Sequence, residues 1–226
     1  MKIINIEQGS PEWLEARRCK VTGTRLEDVM GTELAQLQLI SELIAEKATE
    51  QTKSFKVTEA MERGTNEEVF AIKKFTEVTG KKVENVGICI SNKFDWLACS
   101  PDGLIGKKHN EALEVKSPDS STAVFYKITA MCPDLQLTKS QIPFLGIPAK
   151  YKWQCINYFL VNENLEKLHF AVYDARFIND DHKLNVITIE RSNPALQEEI
   201  NVAMDKLVAF REKWLKLEEL TYSAEF

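Results

Sequence analysis

Apolar positions along this chain recur first at helical spacing, then in short alternating runs, then at helical spacing again. Over residues 33–50, Leu34, Leu37, Ile40, Leu43 and Ile44 share one stripe, which predicts a long amphipathic helix. Residues 58–79, carrying Met61, Val69, Phe70, Ile72 and Phe75, predict a further helix or a broken pair that stops at Gly80. Ahead of both, Ser10 and Pro11 open a capped helix reaching Arg18: the serine hydroxyl accepts an orphan N–H, and proline lacks the N–H that would go unpaired there. Thr22, Gly23 and Thr24 then precede a short second helix ending near Met30.

Strand-like patterns follow. Residues 82–90 read as a first strand, 93–100 as a mostly apolar run, and 112–117 as a strict alternation. Proline and glycine break the pattern between 131 and 148, at Pro133, Pro143, Gly146 and Pro148. That connection either shapes a substrate channel or is simply long. Residues 148–161 return to a helix entering the core, with Lys150, Gln154 and Tyr158 on one face. Two strands come next: 167–174, with Leu168, Phe170 and Val172 on one face, and 184–190, with Val186 and Ile187. Residues 194–219 close with a helix offering Ile200, Met204, Leu207, Val208, Trp214 and Leu217 for packing and many glutamates for solvent or a subunit contact.

Composition narrows the class. The chain has 226 residues, 44% hydrophobic, enough for one core and a single domain over 1–226, in which 194–226 is a C-terminal helical segment. No apolar run approaches the roughly 20 residues that cross a bilayer, and Met1-Lys2-Ile3-Ile4-Asn5 is no signal peptide, so a soluble cytoplasmic protein is expected. Cys19, Cys89, Cys99, Cys132 and Cys155 show neither a C-x-x-C pair nor zinc-ligand spacing and read as plain thiols. A formal net charge of -5, from 34 acidic and 29 basic residues, excludes nucleic-acid binding through a uniformly basic surface. A local positive groove remains compatible with it.

The chemistry concentrates between Ser91 and Pro118. Ser-Pro-Asp-Gly at 100–103 is a turn signal, and residues 106–110 can reverse the chain. In the strand that follows, Glu114 and Lys116 point to one side and Leu113 and Val115 to the other. A hairpin would bring Asp102 beside Glu114. Two carboxylates so placed suit Mg²⁺ or Mn²⁺, with Lys116 orienting a water or offsetting charge on a phosphate. Either fragment alone is more often a turn or a solvated strand face. Exposed N–H groups at the start of the second helix, with Arg17 close in sequence, suit a phosphate, and Thr22 or Thr24 serve equally well as plain caps. Lys150, Gln154 and Tyr158 can contact a DNA backbone from their shared face, while Glu67 on its helix is ordinarily solvated.

Asp102 followed by Glu114-Val115-Lys116 resembles the PD-(D/E)xK nuclease pattern, and further motifs narrow the likeness. These are Glu7-Gln8-Gly9 with Trp13 and Arg17, residues 21–24, Arg63 to Glu67, residues 99–104 and the helix around Gln154. Together they resemble the lambda exonuclease family, the YqaJ-like viral recombinases, over most of the chain. The resemblance implies an α/β (α+β mixed) fold, with a central mixed β-sheet flanked by helices. It implies that Asp102, Glu114, the Val115 backbone carbonyl and Glu67 hold the metal, with two ions per site, and that Lys116 and Gln154 complete the catalytic set. It further implies 5′-to-3′ digestion of one strand of linear duplex DNA to 5′ mononucleotides, and a terminal phosphate held by Arg17, Thr24 and Ser100. A ring-shaped homo-trimer and a single-strand annealing protein as partner belong to the same expectation. The chain departs from the family where the pocket has a further arginine, since none occurs between Arg63 and Arg176; Lys127 is the substitute the sequence offers. Two other readings stay open: an endonuclease or junction resolvase of the same superfamily, and an inactive DNA-end-binding scaffold. An iron–sulfur nuclease is disfavoured by the scattered cysteines.

Overall fold

The computed structural model of the chain describes residues 1–52, 59–132, 134–138 and 141–223, with the side chains at 60 and 61 left aside. Part of the loop expected at 49–54, Thr58, the Met61 side chain and Pro133 therefore lie outside the described residues.

Two sheets organise the chain. Strand β1 (Lys2–Ile4) pairs antiparallel with β3 (Ile88–Ile90), which pairs with β4 (Ala98–Cys99). The larger sheet runs β2 (Val83–Glu84), β5 (Gly103–Ile105), β6 (Glu111–Lys116), β7 (Lys167–Tyr173) and β8 (Leu184–Glu190). All its pairings are antiparallel except β6 with β7, so the sheet is mixed, as expected. The parallel pair needs a long crossover, and residues 117–166 supply it.

The helices are α1 (Pro11–Arg17), α2 (Leu26–Met30), α3 (Glu33–Thr49), α4 (Glu59–Thr79), α5 (Ser120–Met131), α6 (Lys152–Val161) and α7 (Pro194–Ser223). Ser10 caps α1 as expected, its hydroxyl accepting the Trp13 N–H at 3.2 Å. Where a helix or a broken pair was expected, Glu59–Thr79 forms one continuous helix.

Period two sorts the strand side chains between two cores. Leu168, Phe170 and Val172 of β7 join Ala112 of β6 in a core shared with α2, α3, α6 and α7. Leu113, Val115, Ala171 and Tyr173 face the other way, onto Ala71 and Phe75 of α4. Each fully buried phenylalanine contributes about 1.5–3 kcal/mol by leaving water. Glu114 therefore enters the α6 side of the sheet, with apolar neighbours on both flanks in sequence.

Three local expectations differ from the structure. Residues 82–90 split at Gly87 into β2 and β3, which belong to different sheets. A Cβ on Gly87 would fall 2.3 Å from the Ile6 carbonyl, so the chain just after β1 leaves room only for glycine. The apolar run 93–100 is mostly turn, tightened by the Leu97 N–H donating to the Phe94 carbonyl at 3.0 Å, and becomes strand only at β4. Residues 148–151 form a short 3-10 turn (Ala149–Tyr151) ahead of α6. Among the described residues, no helix is long and apolar enough to cross a membrane.

Candidate active site

The β5–β6 hairpin builds the site. Gly106, at φ 82°, and His109, at φ 50°, turn the chain, and Gly103 pairs with Leu113. Asp102 lies one residue before that pair, level with Glu114, and its Oδ2 accepts the Val115 N–H at 2.6 Å. A Cβ on Gly103 would fall 2.0 Å from Val83 Cγ1, so glycine here lets β2 close over the hairpin beside Asp102.

Helix α6 holds the second carboxylate. Asn157 donates to the Ala98 carbonyl at 2.8 Å, fixing α6 against β4. From the same helix, one turn apart, Gln154 Nε2 donates to Glu114 Oε1 at 2.6 Å and the Tyr158 hydroxyl donates to Glu114 Oε2. Lys116 forms an ion pair with Glu114, as the period-two reading requires, and its ammonium lies 5.1 Å from the Tyr151 ring centroid. Gly23 lets this helix approach, since a Cβ there would meet Gln154 Cγ at 3.0 Å.

Asp102, Val115 and Lys116 line a cavity of about 520 Å³ together with Glu68, Asp119 and Lys150. Burial, then the nearby Glu114 carboxylate, pushes the Asp102 carboxyl well above the usual range. The same two causes, in the same order, raise the carboxyl of Glu68. Burial works against the charge on Lys116, yet Glu114 and Asp102 outweigh it and hold the ammonium firmly protonated. The result is a cleft whose carboxylates, Glu68, Asp102 and Asp119, share its wall with the cations Arg63, Lys116 and Lys150, of which Lys116 is fixed by Glu114.

Not every expected residue reaches this cleft. Glu68, the next residue along α4, lines the cavity in the place expected of Glu67, which instead influences Tyr173 and Arg176. Adjacent helical residues differ by about 100° in direction, so one of the two had to turn away. Tyr158 is 3% exposed, which removes it as a DNA contact and makes it a support for Glu114. Lys150 does line the cavity, 4.7 Å from the Tyr151 ring centroid.

Arg17 and Ser100 meet as expected: Arg17 Nη1 donates to Ser100 Oγ at 3.2 Å, and its guanidinium stacks 4.1 Å from the Trp13 ring. Burial, reinforced by Arg25, lowers the Arg17 pKa to about 10, which leaves it cationic at neutral pH. Its other arm donates to buried Thr22 at 3.3 Å, while Thr24 is exposed. Lys127 lies on α5 in a separate cavity with Asp174, His182 and Lys183 and does not join Arg17. The pattern left Trp13, Thr22, Glu68 and Tyr151 without an assigned site role. For Glu68 a signal existed in its place four residues after Gly64, one helical turn on.

Among the described residues, no three His, Cys, Asp or Glu side chains stand close enough to chelate one ion, and Glu114 is engaged by Lys116, Gln154 and Tyr158. Mg²⁺ commonly uses only one or two carboxylates, completing its shell with water and substrate phosphate. Asp102, Glu114 and Glu68 offer that hard-oxygen chemistry, and their mutual repulsion is what a dication relieves.

Comparison with known proteins agrees with this geometry. Residues 12–164 match the model of the YqaJ-like viral recombinase domain. The alkaline exonuclease LHK-Exo from Laribacter hongkongensis, found in two crystal structures of which one is in complex with dAMP, is 26% identical, with a TM-score of 0.72 over 94% of this chain and 98% of that one. A phage-related exonuclease from Haemophilus somnus 129PT shares the fold at 13% identity, with a TM-score of 0.62 over 90% of this chain and 95% of that one. No curated protein sequence gives a significant match. With the domain model matching more than half of the chain, and with Asp102 lining the cavity while Glu114 lies buried level with it on β6, this chain belongs to the YqaJ-like viral recombinase family.

Proposed function

We propose that this protein is a metal-dependent exonuclease that digests one strand of linear duplex DNA from its 5′ end to 5′ mononucleotides, leaving a 3′ single strand for annealing. The observation that carries this reading is the gathering of Glu68, Asp102 and Lys116 in one cavity, with Lys116 ion-paired to the buried Glu114, in a chain whose solved relatives are exonucleases.

Asp102 and Glu114 would hold Mg²⁺ or Mn²⁺, aided by Glu68 and the Val115 carbonyl, with two ions per site. Bound there, the metal acidifies a water and offsets charge on the scissile phosphate. Lys116 orients the attacking water and faces the developing negative charge. Gln154 and Tyr158 fix the Glu114 rotamer by donating to both its oxygens. Arg17, clamped on Trp13 and bonded to Ser100, receives the 5′-terminal phosphate and so sets the cut one nucleotide inward. A ring of three copies enclosing the duplex and delivery of the 3′ strand to an annealing protein complete the proposal; light scattering that gives the mass of one chain would remove the ring.

The test follows linear duplex labelled at its 5′ or 3′ end, with Mg²⁺, beside closed circular DNA. Early release of 5′ label as mononucleotide with the circle intact is the expected result. Nicking of the circle would replace this reading with the endonuclease, and no cleavage with any divalent ion would leave the scaffold.

Two variants separate the roles within the site. Arg17→Ala should erase the preference for a 5′-phosphorylated over a 5′-hydroxyl end while leaving turnover on hydroxyl ends near wild type; an unchanged preference rejects the terminal-phosphate role. Glu68→Ala should lower kcat about 10–100-fold, the usual scale for a group that supports a metal site. Glu67→Ala should stay close to wild type, and the reverse order in the same assay would return the role to Glu67.

A further inference from the structure

Two polar groups in the wall of the catalytic cavity take no part in the scheme above. Arg63 Nε, on α4, and Ser117 Oγ, just beyond β6, are buried and without a hydrogen-bond partner among the described residues. Both residues line the same cavity as Asp102 and Lys116. A buried donor left unpaired costs stability, so two of them on residues that line one cleft point to a ligand that brings acceptors. Glu68, Asp102 and Asp119 line the cavity too, yet the described ion pairs do not join Arg63 to any of them. Beside Arg63, Gly64 has no heavy atom within 4 Å of the place a Cβ would occupy, so a polymer backbone can approach the helix here.

The chemistry of the pair is specific. A guanidinium offers a planar fork of donors and the serine hydroxyl one more, which together match two oxygens of a phosphodiester. Resting on the exonuclease reading, the terminal phosphate belongs to Arg17 and the scissile phosphate to Lys116 and the carboxylates. We propose that Arg63 and Ser117 form a further backbone subsite, which grips the phosphodiester one nucleotide 3′ of the scissile one. The subsite gives the cleft a cationic grip on the incoming strand from α4, and it holds that strand in register between cuts.

A chemical double-mutant cycle tests this. The substrate is a 5′-phosphorylated linear duplex in which that single phosphodiester is replaced by a neutral methylphosphonate. On natural DNA, Arg63→Ala should lower kcat/KM about tenfold, mainly through KM, the scale of one charge-assisted contact. The wild type should lose a similar factor on the methylphosphonate, and the variant should lose almost nothing more. Arg63→Lys should recover only part of the loss, because an ammonium lacks the fork, and Ser117→Ala should show a smaller loss at the same phosphate. Multiplying losses in the variant and the modified DNA, or an Arg63→Ala enzyme within about twofold of wild type, would overturn the subsite while leaving the exonuclease intact. Equilibrium binding in Ca²⁺ separates the remaining case. If the wild type cleaves no DNA but Arg63→Ala weakens binding to charged DNA alone, the exonuclease reading falls and the subsite stands.

Discussion

Asp102→Asn should reduce nucleotide release from linear duplex by at least about 10³-fold and, at the same time, make the metal-free protein more stable. The loss of activity follows from the removal of one of the two carboxylates that meet at the end of the β5–β6 hairpin. The gain in stability follows from electrostatics. Burial and Glu114 raise the carboxyl of Asp102 in the folded state, so the unfolded chain ionises first as pH rises. Below the ordinary carboxylate pKa of about 4, both states are protonated and Asp102 has no effect. Above it, the wild-type fold loses stability until its own raised pKa is passed, and the asparagine variant escapes that loss. The amide oxygen of Asn can still accept the Val115 N–H. Thermal unfolding in EDTA across this pH range checks the claim: the two melting curves should coincide in acid and separate, variant higher, towards neutrality. A variant that melts lower than wild type at neutral pH contradicts it.

Glu114→Ala should also inactivate the enzyme, with the opposite effect on the fold. Glu114 is 1% exposed and accepts from Gln154, Tyr158 and Lys116. Removing it strands an ammonium and a phenol in a desolvated place, and breaking a buried ion pair from one side costs about 3–5 kcal/mol. At about 2–4 °C per kcal/mol for a domain of this size, the melting temperature should fall by roughly 6–20 °C. Glu114→Gln keeps the shape and some of the bonds and should melt between the two. The contrast between the two carboxylates is the informative part: one is strained by its surroundings, the other is held by them. Equal melting shifts for Asp102→Asn and Glu114→Ala would show that this distinction is absent.

Much of this site was legible before any coordinates. Alternation over 112–117 correctly put Glu114 and Lys116 on one side, and residues 106–110 marked the reversal that brings the carboxylates together. Ser10 and Pro11 announced α1, and Arg17, its last residue, meets Ser100 across the fold. What was not legible is what depends on tertiary context. Period alone cannot say which of Glu67 and Glu68 turns inward, since both sit on the polar side of α4 and the choice depends on how α4 rests on β6. A face shared by Lys150, Gln154 and Tyr158 was readable, but not that β4 and β6 would bury Tyr158 against Glu114. Lys127 shares α5 with Thr122, which does line the cleft, yet Lys127 opens into the cavity beside Asp174. Strand β1 spans only Lys2–Ile4, too short for alternation to reveal, and it exists because β3 offers it an edge.

The proposed reaction needs Asp102 and Glu114 to hold a metal, and metal binding itself tests that most directly. Mn²⁺ titrated into the protein, followed by the loss of the free-ion paramagnetic resonance signal, reports binding without any need for turnover. The wild type should bind Mn²⁺ in competition with Mg²⁺, and Asp102→Asn should bind it at least about tenfold more weakly. Equal affinity in the two proteins would place the metal elsewhere and contradict the assignment.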